Sequence, residues 1–519
     1  MSAKTKLAAL IAVAVLASAG AANAITTPAA PLSQTAQDSL FKRLEKAVTE
    51  GHAESPEGAA ALTVELRSII ADPGFSLLPP RYRAGAYAIL AVALSTQAQH
   101  EDAYRMLLKA GELSDEFAQS VYYDVMLSSI ALLAGEDVAA INALASAYEK
   151  DPGNSTGIRS ELVERIDHRA SLLTDTAPRR RLLEALWAAD YAHDNPLWTA
   201  QDLWWCLFEL RVAAGDDEAA REVLPKLVEA KYVVAVRADN RYTRFTADLP
   251  SGGDYRAAYL QNRAETEARI AANPDLIEGQ KMLSDYLASD GKFEEALALL
   301  DAALKKGRAP GEPAYSDFTD QERWVLEGRA DLLGEMGRQE EQTLEHVKAR
   351  DAAIAAGGDK VSQALNLGGY YNSIERPDLA LKEVEGADIK SASPYGRMVA
   401  AEVRVCAYQQ LEDQAHVEVW MDYLTENRLE GPTMYRTALA CVGNMDGLAA
   451  MVISELEDPK TRNVMLRGLQ TYDDPVGNVT PYERSMSAIN YAIKVRPDVR
   501  AAIAKYGTQA TYSRSGAKS

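Results

Sequence analysis

Cysteine is scarce in this chain of 519 residues. Only Cys206, Cys406 and Cys441 occur. An odd number leaves at least one unpaired within a monomer, and so few exclude a fold built from disulfides. Histidine is also sparse: His52, His100, His168, His193, His346 and His416. No two lie three or four residues apart, so no helical metal pair is present. Beyond the N-terminus the longest apolar run, Tyr87 to Leu94, is too short to span a bilayer. Positive charge is in deficit, with 55 Lys and Arg against 75 Asp and Glu, a net charge of −20. That balance argues against general nucleic-acid binding, where basic surface supplies most of the affinity. It argues equally against adsorption to anionic membranes. Catalytic signatures are missing too: G-x-S-x-G, H-E-x-x-H, C-x-x-C, the phosphate-binding loop and the dinucleotide glycine fingerprint. Ser39-Leu-Phe-Lys42 has the S-x-x-K spacing of some serine acyl-enzymes, but its partner motifs are absent. We assign no catalytic residue, cofactor or metal site.

The N-terminus has the layout of an export leader. Lys4 and Lys6 precede an uncharged apolar stretch from Leu7 to Ala19, and Ala22-Asn23-Ala24 supplies a small-x-small cleavage site. Residues 1–24 are therefore expected to be removed, with the mature chain beginning at Ile25. The stretch is short for a membrane anchor. The Ala-rich leader resembles those of bacteria, so the expected destination is the periplasm.

The dominant signal is helical. Apolar residues recur at three- and four-residue steps, interrupted by short Gly, Asp, Pro or Asn breaks. In Asp275 to Gly307, Leu276, Leu283 and Leu287 share one stripe, Ser289-Asp290-Gly291-Lys292 predicts a tight turn, and Phe293, Ala296, Leu297, Leu300 and Ala303 form a second stripe. Two amphipathic helices joined by such a turn make a helical hairpin.

The hairpin recurs with a small-x3-large pair in its second helix. The pairs are Ala103 and Leu107, Ala140 and Leu144, Ala220 and Leu224, Ala296 and Leu300, and Ala380 and Val384. First-helix signatures include Trp204-x2-Leu207, Tyr87-x2-Leu90 and Leu367-Gly368-x2-Tyr371. This spacing resembles the tetratricopeptide repeat. No copy is complete: the first-helix Gly survives only at Gly368, and the second-helix Phe is always aliphatic. The resemblance implies an all-α solenoid of tetratricopeptide-like hairpins in two blocks. The blocks are expected at 25–230 and 263–457, with an irregular connector at 231–262, a helical cap at 458–507 and a flexible tail at 508–519.

Cys406 and Cys441 lie 35 residues apart, near one repeat period. An export compartment would permit a bond between them, but equivalent places in neighbouring repeats are usually too distant for disulfide geometry; buried small residues are the preferred reading and a bond the alternative.

The family resemblance implies protein–protein interaction on a concave face. On the repeat template, Trp204 falls in the core. Trp205, about 100 degrees further round the helix, falls toward the inner face with Glu209 one turn later. The template places Lys281, Asp285 and Asn372 on the same face of their repeats. These five are the candidate partner contacts, with packing of Trp205 beneath a neighbouring loop as the structural alternative. The expected function is a non-catalytic scaffold that binds a protein or peptide in the cell envelope, its acidic surface favouring a basic partner. The alternative is an envelope enzyme or enzyme subunit acting on polysaccharide or peptidoglycan.

Overall fold

A computed structural model describes residues 34–513 apart from 51, 52, 54, 155, 312, 313, 358–360 and 474–476. The expected leader, residues 1–24, lies outside the described residues. The chain divides after Val223 into two compact units.

The N-terminal unit runs through α1 (Gln34–Glu50), α2 (Pro56–Ala71), α3 (Pro80–Thr96), α4 (His100–Leu113), α5 (Asp115–Ala118), α6 (Val121–Ala134), α7 (Asp137–Lys150), α8 (Ser160–Leu172), α9 (Ala177–Ala188), α10 (Gln201–Ala213) and α11 (Asp217–Val223). The C-terminal unit holds α12 (Ala230–Ala238), α13 (Tyr255–Ala272), α14 (Ile277–Ser289), α15 (Phe293–Gly307), α16 (Phe318–Glu335), α17 (Gln339–Ala356), α18 (Val361–Ser373), α19 (Pro377–Gly386) and α20 (Pro394–Gln410). It continues with α21 (Gln414–Glu426), α22 (Pro432–Cys441), α23 (Met445–Glu457), α24 (Arg462–Gly468), α25 (Pro481–Val495) and α26 (Pro497–Tyr506). A two-residue parallel pairing joins β1 (Thr471–Tyr472) to β2 (Thr511–Tyr512). No helix among the described residues is long and apolar enough to cross a membrane.

One turn builds the hairpins. A residue with positive φ stands two places before the second helix at Ala98, Gly135, Gly215, Gly291, Gly337, Glu375, Glu412 and Gly443. In each case the next amide bonds back across the end of the first helix, as Lys292 does to the Leu287 carbonyl at 2.9 Å and Asp413 to that of Tyr408 at 3.0 Å. This closure satisfies carbonyls that a helix end leaves open, and it favours glycine because the left-handed conformation is unstrained only where there is no Cβ.

The small-x3-large pairs read from the sequence form the seams of these hairpins. Ala103, Ala140, Ala220, Ala296 and Ala380 are fully buried, as are Leu107, Leu144, Leu224, Leu300 and Val384. The small residue admits the facing helix and the large one fills the space beyond. First helices of successive hairpins also touch, α14 against α16, α18 against α20 and α20 against α22. Each unit is thus an all-α stack of tetratricopeptide-like hairpins.

Three expectations need correction. The segment 231–262 is not an irregular connector. It contains α12, a 3-10 turn over Thr243–Asp248 and the start of α13, and Tyr232, Val236 and Phe245 are fully buried. Its run of β-branched residues is helical because α12 is enclosed by the C-terminal unit, where tertiary packing overrides the weak local preference. Residues 508–513 are not a loose tail. The Thr508 amide donates to the Ala238 carbonyl at 2.9 Å, and Tyr512 is buried. Gly507 makes this approach possible, since a Cβ there would stand 2.0 Å from the Ala238 oxygen. Finally, Cys406 and Cys441 are bonded. They sit on α20 and α22, first helices that touch directly, and not at the wide spacing the repeat template suggested.

Candidate functional site

The candidate site lies on the C-terminal unit, where α12, α13, α14 and β1 enclose a cavity of about 450 Å3. Tyrosine dominates its walls: Tyr255 and Tyr259 from α13, Tyr286 from α14 and Tyr472 from β1. The rings support one another. Tyr259 meets Tyr286 edge-on at 6.0 Å, and Tyr255 lies 5.1 Å from Tyr512 and 6.5 Å from Tyr472. Asn262 donates to the Tyr286 hydroxyl at 3.3 Å, and Arg263 stands over the same ring at 5.4 Å. Arg263 is itself fixed by Glu267 at 2.8 Å and Asp290 at 2.7 Å.

Asp285 lines this cavity one turn after Lys281, whose ammonium it binds at 2.8 Å. The i, i+4 spacing on α14 aligns the two side chains. The α16 helix packs beside α14, and Lys281 lies against Gly328. Glu327 and Asp331 stand on either side of that glycine in α16. His346 of α17 approaches Glu327 at 3.3 Å, both largely buried, and its ring lies 4.4 Å from that of Tyr370. Asp331 is open to solvent on one side. Desolvation by the surrounding protein pushes its carboxyl up to about 6, with Glu327 adding to the rise and His346 and Lys281 opposing it. Among the described residues it forms no ion pair. The result is an aromatic hollow whose lining also holds Glu229, Lys231 and Asp285, with Asp331 on the adjacent helix. Such a surface can hold a ring or an alkyl stem against tyrosine and a cationic group against acid.

The five sequence-predicted contacts separate. Lys281 and Asp285 belong to this surface. Glu209 is half-buried on α10 in the N-terminal unit. Trp205 is not a groove residue: it is 8% exposed and packs 5.2 Å from Phe208. Trp204, predicted as core, is buried and meets Trp187 edge-on at 5.1 Å. Asn372 is not a surface contact either. It is 3% exposed and donates to the Val403 carbonyl at 2.9 Å, tying α18 to α20. For Asn372 the cause is that first helices touch, so a position aimed at the inner face is covered by the next helix.

Sequence reasoning missed the tyrosines. The available signal was 24 Tyr against 7 Phe, an excess of rings that carry a polar tip. Nothing local assembles residues 255, 286 and 472; the packing of β1 against α13 does.

Cys206, unpaired in this chain, offers no ready nucleophile. Burial pushes its thiol up to about 12 although the Arg179 guanidinium stands 3.1 Å away.

No family model matches the chain, and no curated protein sequence matches it. Among solved structures, the chain is similar to the tetratricopeptide domain of P58(IPK), at 11% identity over 89% of this chain and 100% of that one, with a TM-score of 0.18. It is also similar to the APC/C hetero-tetramer Cut9-Hcn1, at 12% identity over 89% of this chain and 96% of that one, with a TM-score of 0.20. Superpositions this loose add no weight. The hairpin architecture stands on the turns and buried seams described above.

Proposed function

We propose that this chain is an exported, non-catalytic binding protein of the cell envelope that holds a basic segment of a partner protein. The observation that carries the reading is the tyrosine-lined cavity with Asp285 in its wall, and Asp331 on the neighbouring helix within electrostatic reach of Asp285. A lysine or arginine of the partner can lay its stem on the rings and bring its charge to Asp331, the acid without a close cation. Stacked hairpins suit this role because they present side chains from several helices on one surface. The excess of 75 acidic over 55 basic residues attracts a basic partner at long range. The leader-like N-terminus supports export, with the periplasm as destination.

The test is a crosslinked pull-down of the tagged mature protein from its native envelope, paired with Asp331→Asn. Partner recovery should fall in the variant and at high salt. Equal recovery from both proteins would remove Asp331 from the interface, and a blank at low salt would sink the scaffold reading.

A further inference from the structure

In a chain with a net charge of −20, one cavity is lined by cations and by no acid. It lies in the C-terminal unit among α22, α23, α24, β1 and α25, with a volume of about 670 Å3. Its walls are mixed: Leu448, Val452, Leu469 and Met486 supply apolar surface, and Thr437, Gln470, Ser487 and Asn490 supply polar groups. The charged side chains that line it are Arg436 and Lys494.

These two cations differ. Arg436 is neutralised, because the Glu455 carboxylate accepts its hydrogen bonds and Thr433 accepts another at 3.0 Å. Lys494 has a hydroxyl only: its ammonium donates to Thr471 Oγ1 at 2.7 Å. Among the described residues no carboxylate lies within ion-pair distance of it. Lys494 is half-buried, and that burial lowers its pKa below the ordinary lysine range. The cavity therefore carries one ammonium with no carboxylate partner among the described residues, beside the apolar part of its wall. An anion delivered there would regain the charge-assisted hydrogen bond that the fold omits. Two further lining residues, Val464 and Tyr491, are 59% and 67% exposed.

We infer that this cavity binds a monoanionic amphiphile, a medium-chain fatty carboxylate, with its head group on Lys494 and its alkyl chain along Leu448, Val452 and Leu469. The volume falls within the range of small-molecule sites. A single negative charge balances Lys494, and the Arg436–Glu455 pair asks for none. This site is distinct from the tyrosine-lined surface and does not depend on its role.

Dodecanoate, below its micelle concentration, is titrated into the mature protein by calorimetry, with dodecanol and dodecyltrimethylammonium as controls. Dodecanoate should bind about tenfold more tightly than dodecanol, the effect of one charge-assisted contact, and the cationic amphiphile should not bind. Lys494→Met should erase the preference for dodecanoate over dodecanol at an unchanged melting temperature. A second variant acts on the wall. Gly468 lines the cavity within α24, and nothing lies within 4 Å of where its Cβ would stand. Gly468→Met should fill the chamber and abolish binding of both while the protein stays folded. Equal affinity for all three amphiphiles, or dodecanoate binding untouched by Gly468→Met, would overturn the inference. So would no binding by any probe. Binding of an apolar peptide through its free C-terminal carboxylate, with none of dodecanoate, would make the occupant a protein tail and overturn it too.

Discussion

Cys406 on α20 is bonded to Cys441 at the end of α22, with their Cα atoms 5.3 Å apart. The bond joins the first helices of two hairpins 35 residues apart in the chain. A carboxyl and a phenol lie beside it. The Glu402 carboxyl lies 3.4 Å from Cys406 Sγ and the Tyr482 hydroxyl 3.2 Å from Cys441 Sγ. A bonded sulfur has no proton to give, so each contact is a hydrogen bond only when the carboxyl or phenol is the donor. Burial favours that state, pushing Glu402 up to about 7 and raising Tyr482 as well.

Loss of this bond should weaken the C-terminal unit. For a closed loop of 35 residues, restricting the unfolded chain contributes about 3–4 kcal/mol. Urea unfolding of the oxidised protein and of Cys406→Ala/Cys441→Ala should show a lower midpoint for the variant. Added reductant should move only the oxidised protein. Coincident curves would mean that the bond adds no stability.

The hairpin turns give a graded series. Glu375 and Glu412 occupy the left-handed position with φ of 58° and 59°, where Gly291 has 74°. A side chain there costs about 1–2 kcal/mol, part of which glycine returns through its freer unfolded chain. Glu412→Gly should therefore raise stability by roughly 0.5–1 kcal/mol, and Gly291→Ala should lower it by about 1 kcal/mol. Denaturant midpoints that move the same way for both would refute the shared turn.

Asn463 fastens α24 to α12 through a side chain. Its Nδ2 donates to the Ala235 carbonyl at 2.8 Å, and the residue is 2% exposed. Asn463→Ala leaves that carbonyl buried without its partner, at a cost of about 1–3 kcal/mol. Amide hydrogen exchange should rise across 230–238 as well as around 463. A rise confined to α24 would show that α12 is held by other contacts.

Two carboxyls should make stability fall between weakly acidic and neutral pH. Asp331 is raised to about 6 and Glu402 to about 7. A carboxyl whose folded pKa lies above its unfolded value binds more protons when folded, so stability declines as pH rises from about 4 toward the folded pKa and is flat beyond it. Glu402→Gln should flatten the stability profile between about 5 and 7. At the proposed interface the sign is opposite, because Asp331 attracts a cation only when ionised. Partner affinity should increase as pH rises through 6, and Asp331→Asn should remove that increase.

Trp205 gives a direct contrast between packing and binding. Since it is buried against Phe208, Trp205→Ala should cost about 3–5 kcal/mol. An unchanged melting temperature with weakened partner binding would return the residue to an open face.

Helices and seams were legible in the sequence because they are local. Ala296 and Leu300 stand one turn apart, so the pattern that buries them is written in consecutive residues. The segment 231–262 was not legible. Its Val233, Val234 and Val236 are weak helix formers, and partners that hold α12 lie 228 and 271 residues away, at Asn463 and Thr508.

The sequence by itself determined the repeat class, the buried small-and-large pairs and the acidic balance, since each follows from composition or from spacing within one or two helical turns. Only the tertiary structure decided that Asn372 is covered, that Cys406 meets Cys441, and that Tyr255, Tyr286 and Tyr472 share one cavity. Those outcomes depend on how closely neighbouring hairpins approach and on where the chain end returns. Both are set by the summed packing of many side chains, which no short stretch of sequence contains.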